Sequence, residues 1–147
     1  MAYKLGLEGK TYRNTGTYGT PVWDEIPNVV DADLSLEAEE ADMTNRAMGG
    51  FEAILPSIIK ATVEAEMLYD PADTDWTTLL AAFLARTLKE YAVADGAIAT
   101  VGTQYFRAHM YITKFGRSEK LREGMRSPLT LRPGYSSNAN PAWVTVS

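Results

Sequence analysis

Few residues in this chain are of types that do chemistry, and their spacing argues against the chemistry they would do. Gly6-Leu7-Glu8-Gly9-Lys10-Thr11 ends in the Gly-Lys-Thr of a phosphate-binding loop. That loop needs a glycine five positions before its second one, where Lys4 stands, and a helix after it, where the pattern reads as strand. His109 is the single histidine and cysteine is absent, which rules out a metal centre built from histidine and thiolate ligands. A Ser–His–acid triad would have to use His109, which sits in mid-strand beside Arg107 and Tyr111 with no nucleophile elbow near it. Asp31, Asp33 and Glu37 could offer oxygen ligands to a hard cation. Alternate residues of one strand lie roughly 6.6 Å apart, too far to share an ion without a second strand. Asp70, Asp73 and Asp75 begin like an EF-hand loop but lack its glycine and its closing glutamate; turn and cap roles account for them. No catalytic, cofactor-binding or metal-binding residue is assigned.

The elements that hold these residues are mostly strands. Residues Ile58–Tyr69 place Ile59, Ala61, Val63, Ala65 and Met67 on one side and Lys60, Thr62, Glu64 and Glu66 on the other. A period of two describes a sheet with one buried and one wet face. Val29–Asp42 and Gln104–Phe115 alternate in the same way. Further strands are expected at Tyr3–Arg13, Val22–Ile26, Phe51–Leu55 (broken by Pro56), Leu88–Ala94 and Glu119–Arg132 (interrupted near Pro128). One helix is expected at about 75–87: Asp75 as N-cap, then an apolar stripe of Trp76, Leu79, Leu80, Phe83 and Leu84, with Arg86 in the last turn, where a cation suits the helix dipole. Residues 43–52 read as the tip of a long hairpin. Residues 134–147 read as a polar arm, normally loose, whose late Trp143 has to dock on its own domain or on a neighbour. The expectation is one mainly β domain (α+β) spanning 1–147: a β-sandwich or barrel of two packed antiparallel sheets with one flanking helix.

Composition narrows the function classes. The chain has 147 residues, 46% hydrophobic and 22% charged, with a net charge of −5, so it is not a basic nucleic-acid binder. It has neither an 18-residue apolar run nor a secretory signal at its start. The absence of cysteine is compatible with a reducing cytosol. Charge is segregated. Asp31–Asp42 holds six acids and no base; Lys114–Arg132 holds six bases, including Lys114, Arg117, Lys120, Arg122 and Arg126, against Glu119 and Glu123. Two such flanks can meet within a subunit or steer one subunit onto another.

Three segments carry a resemblance: Lys4-Leu5-Gly6-Leu7-Glu8-Gly9-Lys10-Thr11-Tyr12-Arg13-Asn14, then Asn28–Asp31 with Ala41–Ala47, and Phe106–Glu119. In that order and in a chain of this size, they resemble the tail tube (major tail) proteins of long-tailed bacteriophages. The resemblance implies a small β-sandwich or barrel with a helix. It implies stacked, hexameric rings forming a hollow tube through which DNA is ejected. It implies a hairpin loop (Thr44, Asn45, Arg46, Gly49, Gly50, Phe51) reaching the neighbouring ring, and N-terminal residues and a C-terminal arm touching adjacent subunits. Its expected partners are further copies of the chain, a tape measure, a tail terminator and a distal tail protein, with no membrane. Its place is the virion tail, assembled in the host cytoplasm. Asp31, Asp33, Glu37, Glu39, Glu64 and Glu66 are candidates for an acidic lumen, and Lys114, Arg117, Lys120, Arg122 and Arg126 for a subunit interface. The alternatives are a tail terminator or a tube-like ring protein of a type VI or contractile injection system, a carboxylate-pair hydrolase, and a glycan- or receptor-binding module using Tyr12, Tyr18 and Trp23.

Overall fold

The computed structural model describes residues 3–119, 121, 124–136 and 141–147. Eight strands form one antiparallel sheet: β1 (Lys10–Asn14), β2 (Trp23–Glu25), β3 (Val29–Asp42), β4 (Ile54–Leu68), β5 (Lys89–Ala94), β6 (Gln104–Phe115), β7 (Arg126–Pro133) and β8 (Ala142–Thr145). Their order is β2-β1-β5-β6-β7-β4-β3, and β8 pairs with β6. The two expected sheets are thus parts of one hydrogen-bonded sheet that curls around its core. One helix, α1 (Thr74–Ala85), flanks it.

β6 and the inner half of β4 behave as their periodicity requires, whereas β3 buries no residue: Val30 and Leu36 of its expected dry face are exposed, and only Val29 and Leu34 pack partly against the core. Val63, Met67, Met110 and Leu131 are almost wholly buried, and they pack with Tyr91, Phe106, Ala108, Leu129 and, from α1, Leu79 and Ala82. A second cluster on the opposite face joins Tyr12, Ala92, Ala94 and Tyr105 to Trp23, Val144 and Val146. Trp76 stacks edge-on against Tyr69 and donates its indole N–H to Ser127 Oγ at 2.8 Å, which satisfies a fully buried hydroxyl. The last member of the expected helix stripe, Leu84, is exposed.

Several boundaries differ from the expectation. Asp73, not Asp75, caps α1: its carboxylate accepts the Asp75 N–H at 3.1 Å. Asp75 is buried in the first turn and accepts a hydrogen bond from Arg13 Nε at 2.8 Å. Arg86 is the C-cap rather than a last-turn residue, in the left-handed region with φ 55°. The first strand does not begin at Tyr3. Gly6–Glu8 form a 3-10 turn, closed by the Glu8 carboxylate accepting the Leu5 N–H, and Leu5 points to solvent. Pro56 does not break a strand. β4 runs through it, because β7 pairs only with Val63–Leu68 and the β3 register shifts beside it; a missing N–H at an edge and a bulge disrupts little. Pro128 likewise lies inside β7, just past the end of the β6 ladder at Leu129. Gly134 follows β7, where a Cβ would lie 2.5 Å from the Tyr111 ring.

Candidate assembly surface

The β3–β4 ribbon brings the acidic candidates together. Asp31 lies opposite Glu66, Asp33 opposite Glu64, and Glu37 opposite Lys60. Alternation keeps Asp31, Asp33, Glu64 and Glu66 on one face, away from α1, as two successive like-charged cross-strand pairs. Such pairs work against the ladder and are screened because they are exposed. Two bases offset them in part: Lys60 pairs with Glu39, and Arg126 lies 3.6 Å from Glu66. Among the described residues, no three of His, Asp and Glu converge as a metal would require.

The basic segment is only partly free to meet another subunit. Arg126 faces Glu66 of its own chain, and Arg117 pairs with Glu119 at 3.1 Å while lying over the Tyr69 ring. Lys114 is exposed, opposite Thr130. Lys120 and Arg122 lie outside the described residues.

The tip of the ribbon is built from local hydrogen bonds. Asp42 Oδ1 accepts the Thr44 N–H, and Thr44 Oγ1 exchanges hydrogen bonds with the backbone of Ala53. The Thr44 hydroxyl, then its N–H, hold the Asp42 carboxyl below its ordinary pKa. Asn45 Oδ1 accepts from Ala47 N at the 3-10 turn Arg46–Met48. Gly49 and Gly50 then reverse the chain with φ of 63° and 91°, a region where a side chain is strained. Phe51 beside them is 75% exposed.

The outer half of the ribbon lacks a core. Leu36, Leu55, Ile58 and Ile59 are all more than half exposed. On the edge of β4 away from β3, residues 54–62 have no strand partner among the described residues. The outer edge of β3 has none either. Long, open, apolar strand edges are what soluble monomers avoid.

Sequence reading missed a buried ionic cluster on the face of the second core. Glu90 accepts Arg107 Nε at 2.8 Å, Arg107 Nη2 at 2.9 Å and Asn14 Nδ2 at 2.6 Å. The Arg107 guanidinium is layered on Tyr18 and Trp23, 4.3 and 5.3 Å from their ring centres. Burial disfavours its charge, but the hydrogen bond and charge of Glu90 outweigh that and hold its pKa above the ordinary value. The cluster ties the connection between β1 and β2 onto the sheet. Alternation marks both residues as belonging to a polar face, and nothing local shows that a loop closes over it.

Tyr91, 2% exposed, has its phenol pushed by burial to about 12, against a small opposing effect from Arg13. The folded state therefore holds a proton that the unfolded state releases near 10, so this contribution to stability is complete below pH 10 and is lost as pH rises towards 12. Denaturant midpoints measured across pH 9–12 are expected to fall, and Tyr91→Phe is expected to flatten that fall.

No protein-family model matches the sequence, and no curated protein matches it. Solved structures do match in fold. A chain of the SPP1 tail tube superposes with a TM-score of 0.75 at 9% identity, covering 99% of this chain and 81% of that one. A chain from the tail of an empty gene transfer agent particle, refined with C6 symmetry, superposes at 0.72 with 17% identity, covering 99% and 100%. The chain has the tail-tube fold. A third similar structure, from the sheath–tube complex of an extracellular contractile injection system, has a TM-score of 0.65 at 9% identity, covering 95% and 89%. The tail-tube fold thus accounts for nearly the whole chain, the protruding ribbon and C-terminal strand included.

Proposed function

We propose that this chain is a structural subunit of a phage-type tail tube, acting by self-assembly into stacked rings rather than by catalysis. The observation that carries this reading is coverage: 99% of the chain superposes on a subunit of the SPP1 tail tube. The open edges of β3 and β4 and the uncovered apolar ribbon give the physical motive, since a neighbouring copy would pair and bury them. The sixfold tail of the gene transfer agent structure makes six the ring size to test. On this reading the loop 43–52 reaches the next ring and the arm 134–147 touches adjacent subunits. The protein belongs to the virion tail, assembled in the host cytoplasm beside tape measure, terminator and distal tail proteins. Sedimentation with negative-stain imaging over a concentration series tests it: long tubes support the proposal, and a monomer at every concentration overturns it. Single closed rings would favour a terminator, a reading with its own support in a similar sheath/tube terminator structure (TM-score 0.68, 8% identity).

The acidic face of the ribbon is the proposed lumen wall. Carboxylates there repel DNA phosphates, so the duplex slides rather than sticks. Asp33→Lys with Glu64→Lys is expected to leave tubes intact under the microscope while slowing DNA release from assembled particles. Unimpaired infectivity would remove these acids from the lumen.

A further inference from the structure

The core of the sheet is open at one end. Leu36, Ile59 and Ala61 of the ribbon face Phe106, Pro133 and Trp143 across a groove of about 320 Å³. Its two walls are unfinished strands. β4 has no partner beyond β7 on this side, and β8 pairs only with β6 among the described residues. Trp143 is anchored through its indole N–H to Gln104 at 2.9 Å yet remains 56% exposed. An apolar slot between two free strand edges is the receptor geometry of strand addition: main-chain hydrogen bonds hold the guest, and alternate side chains fill the slot.

We propose that the guest is the segment Tyr3–Leu5 of a second copy of this chain. Tyr3 and Leu5 are 83% and 68% exposed, in a segment with no secondary structure of its own. They point the same way if the segment is extended. Lys4 between them would then face the acidic side of the ribbon, where Glu37 lies opposite Lys60 and Glu39 pairs with it; the N-terminal segment 1–7 carries no acid. The path along the sheet favours a second copy over the chain's own segment. Gly6 is held beside β1 by its hydrogen bond from Gly9. From β1 to β8 are three strand spacings, about 14 Å, whereas three residues extend at most about 10 Å. The inference rests on self-assembly and adds which segment of one subunit completes which groove of the next.

The absence of native cysteine permits a clean test. Leu5→Cys and Ile59→Cys chains, each altered at an exposed site, are mixed under association conditions and oxidised. Paired strands bring Cα atoms to roughly 4.5–5.5 Å, within disulfide range. A mixed disulfide dimer is expected in at least tenfold excess over the control pair of Leu5→Cys with Thr77→Cys on the exposed side of α1. Shifting the pair to Tyr3→Cys with Ile59→Cys covers the alternative register. Assemblies that form normally but give no mixed dimer in either register overturn the docking and leave the tube reading standing. A Leu5→Cys/Ile59→Cys chain that closes on itself as a monomer overturns the second-copy guest. Wild-type chain that never associates, together with cysteine variants that never cross-link, overturns both.

Discussion

Glu90→Ala is expected to destabilise the subunit by about 3–5 kcal/mol, the usual cost of removing one partner of a buried ion pair. The carboxylate side chain is 3% exposed and Arg107 13%. Without Glu90, the guanidinium stays between Tyr18 and Trp23 with its charge unanswered, and Asn14 Nδ2 loses a 2.6 Å acceptor. The remaining acceptor for Arg107 is the Tyr18 carbonyl at 3.3 Å, which cannot replace a bidentate carboxylate. Urea unfolding followed by tryptophan fluorescence measures the loss. Glu90→Ala combined with Arg107→Met should recover a large part of it, because replacing both members with apolar groups removes the stranded charge. A single-variant loss below about 1 kcal/mol, within the range of an exposed pair, would show that water reaches the cluster.

Replacing residues 43–53 by Asn-Gly should have the opposite character. Asp42 and Ile54 are the last cross-strand partners of the ribbon, and a two-residue Asn-Gly turn closes such a pair with favourable twist. Among the described side chains, those removed are almost all exposed and belong to neither core. Subunit stability is therefore expected to stay within about 0.5 kcal/mol of wild type, the usual range for changes away from packed sites. Stacking into tubes is expected to disappear, leaving a soluble species no larger than one ring in sedimentation. Tubes of normal length from the shortened chain would deny the loop any inter-ring role. The contrast with Glu90→Ala is the diagnostic point: one change destabilises the subunit, and the other leaves its stability intact without a way to join its neighbours.

Local pattern was sufficient wherever one face is buried and the other wet. β3 and β6 occupy the residues their alternation marks out, and Val63, Met67, Met110 and Ile112 lie inside as a period of two requires. The helix was legible from its stripe, because burial on one side of a 3.6-residue turn leaves a strong signal. The charge segregation was legible as well, although not its consequence. That Asp31 and Glu66 would oppose one another follows from pairing two strands, and neither strand contains that information alone.

What the sequence determined by itself was the inventory: strands, one helix, two charged flanks, a single histidine and no cysteine. The tertiary structure decided the partners. It chose Asp73 over Asp75 as the cap because Arg13, 62 residues away from Asp75, claims that carboxylate. It carried β4 through Pro56 because no strand lies on that side, and it buried Glu90 because a loop from β1 closes over it. It also left the core open beside Trp143. The physical reason is common to these cases: periodicity reports which face of an element is dry, whereas burial of a charge, tolerance of a proline and an unfinished edge depend on what the folded chain places, or fails to place, beside it.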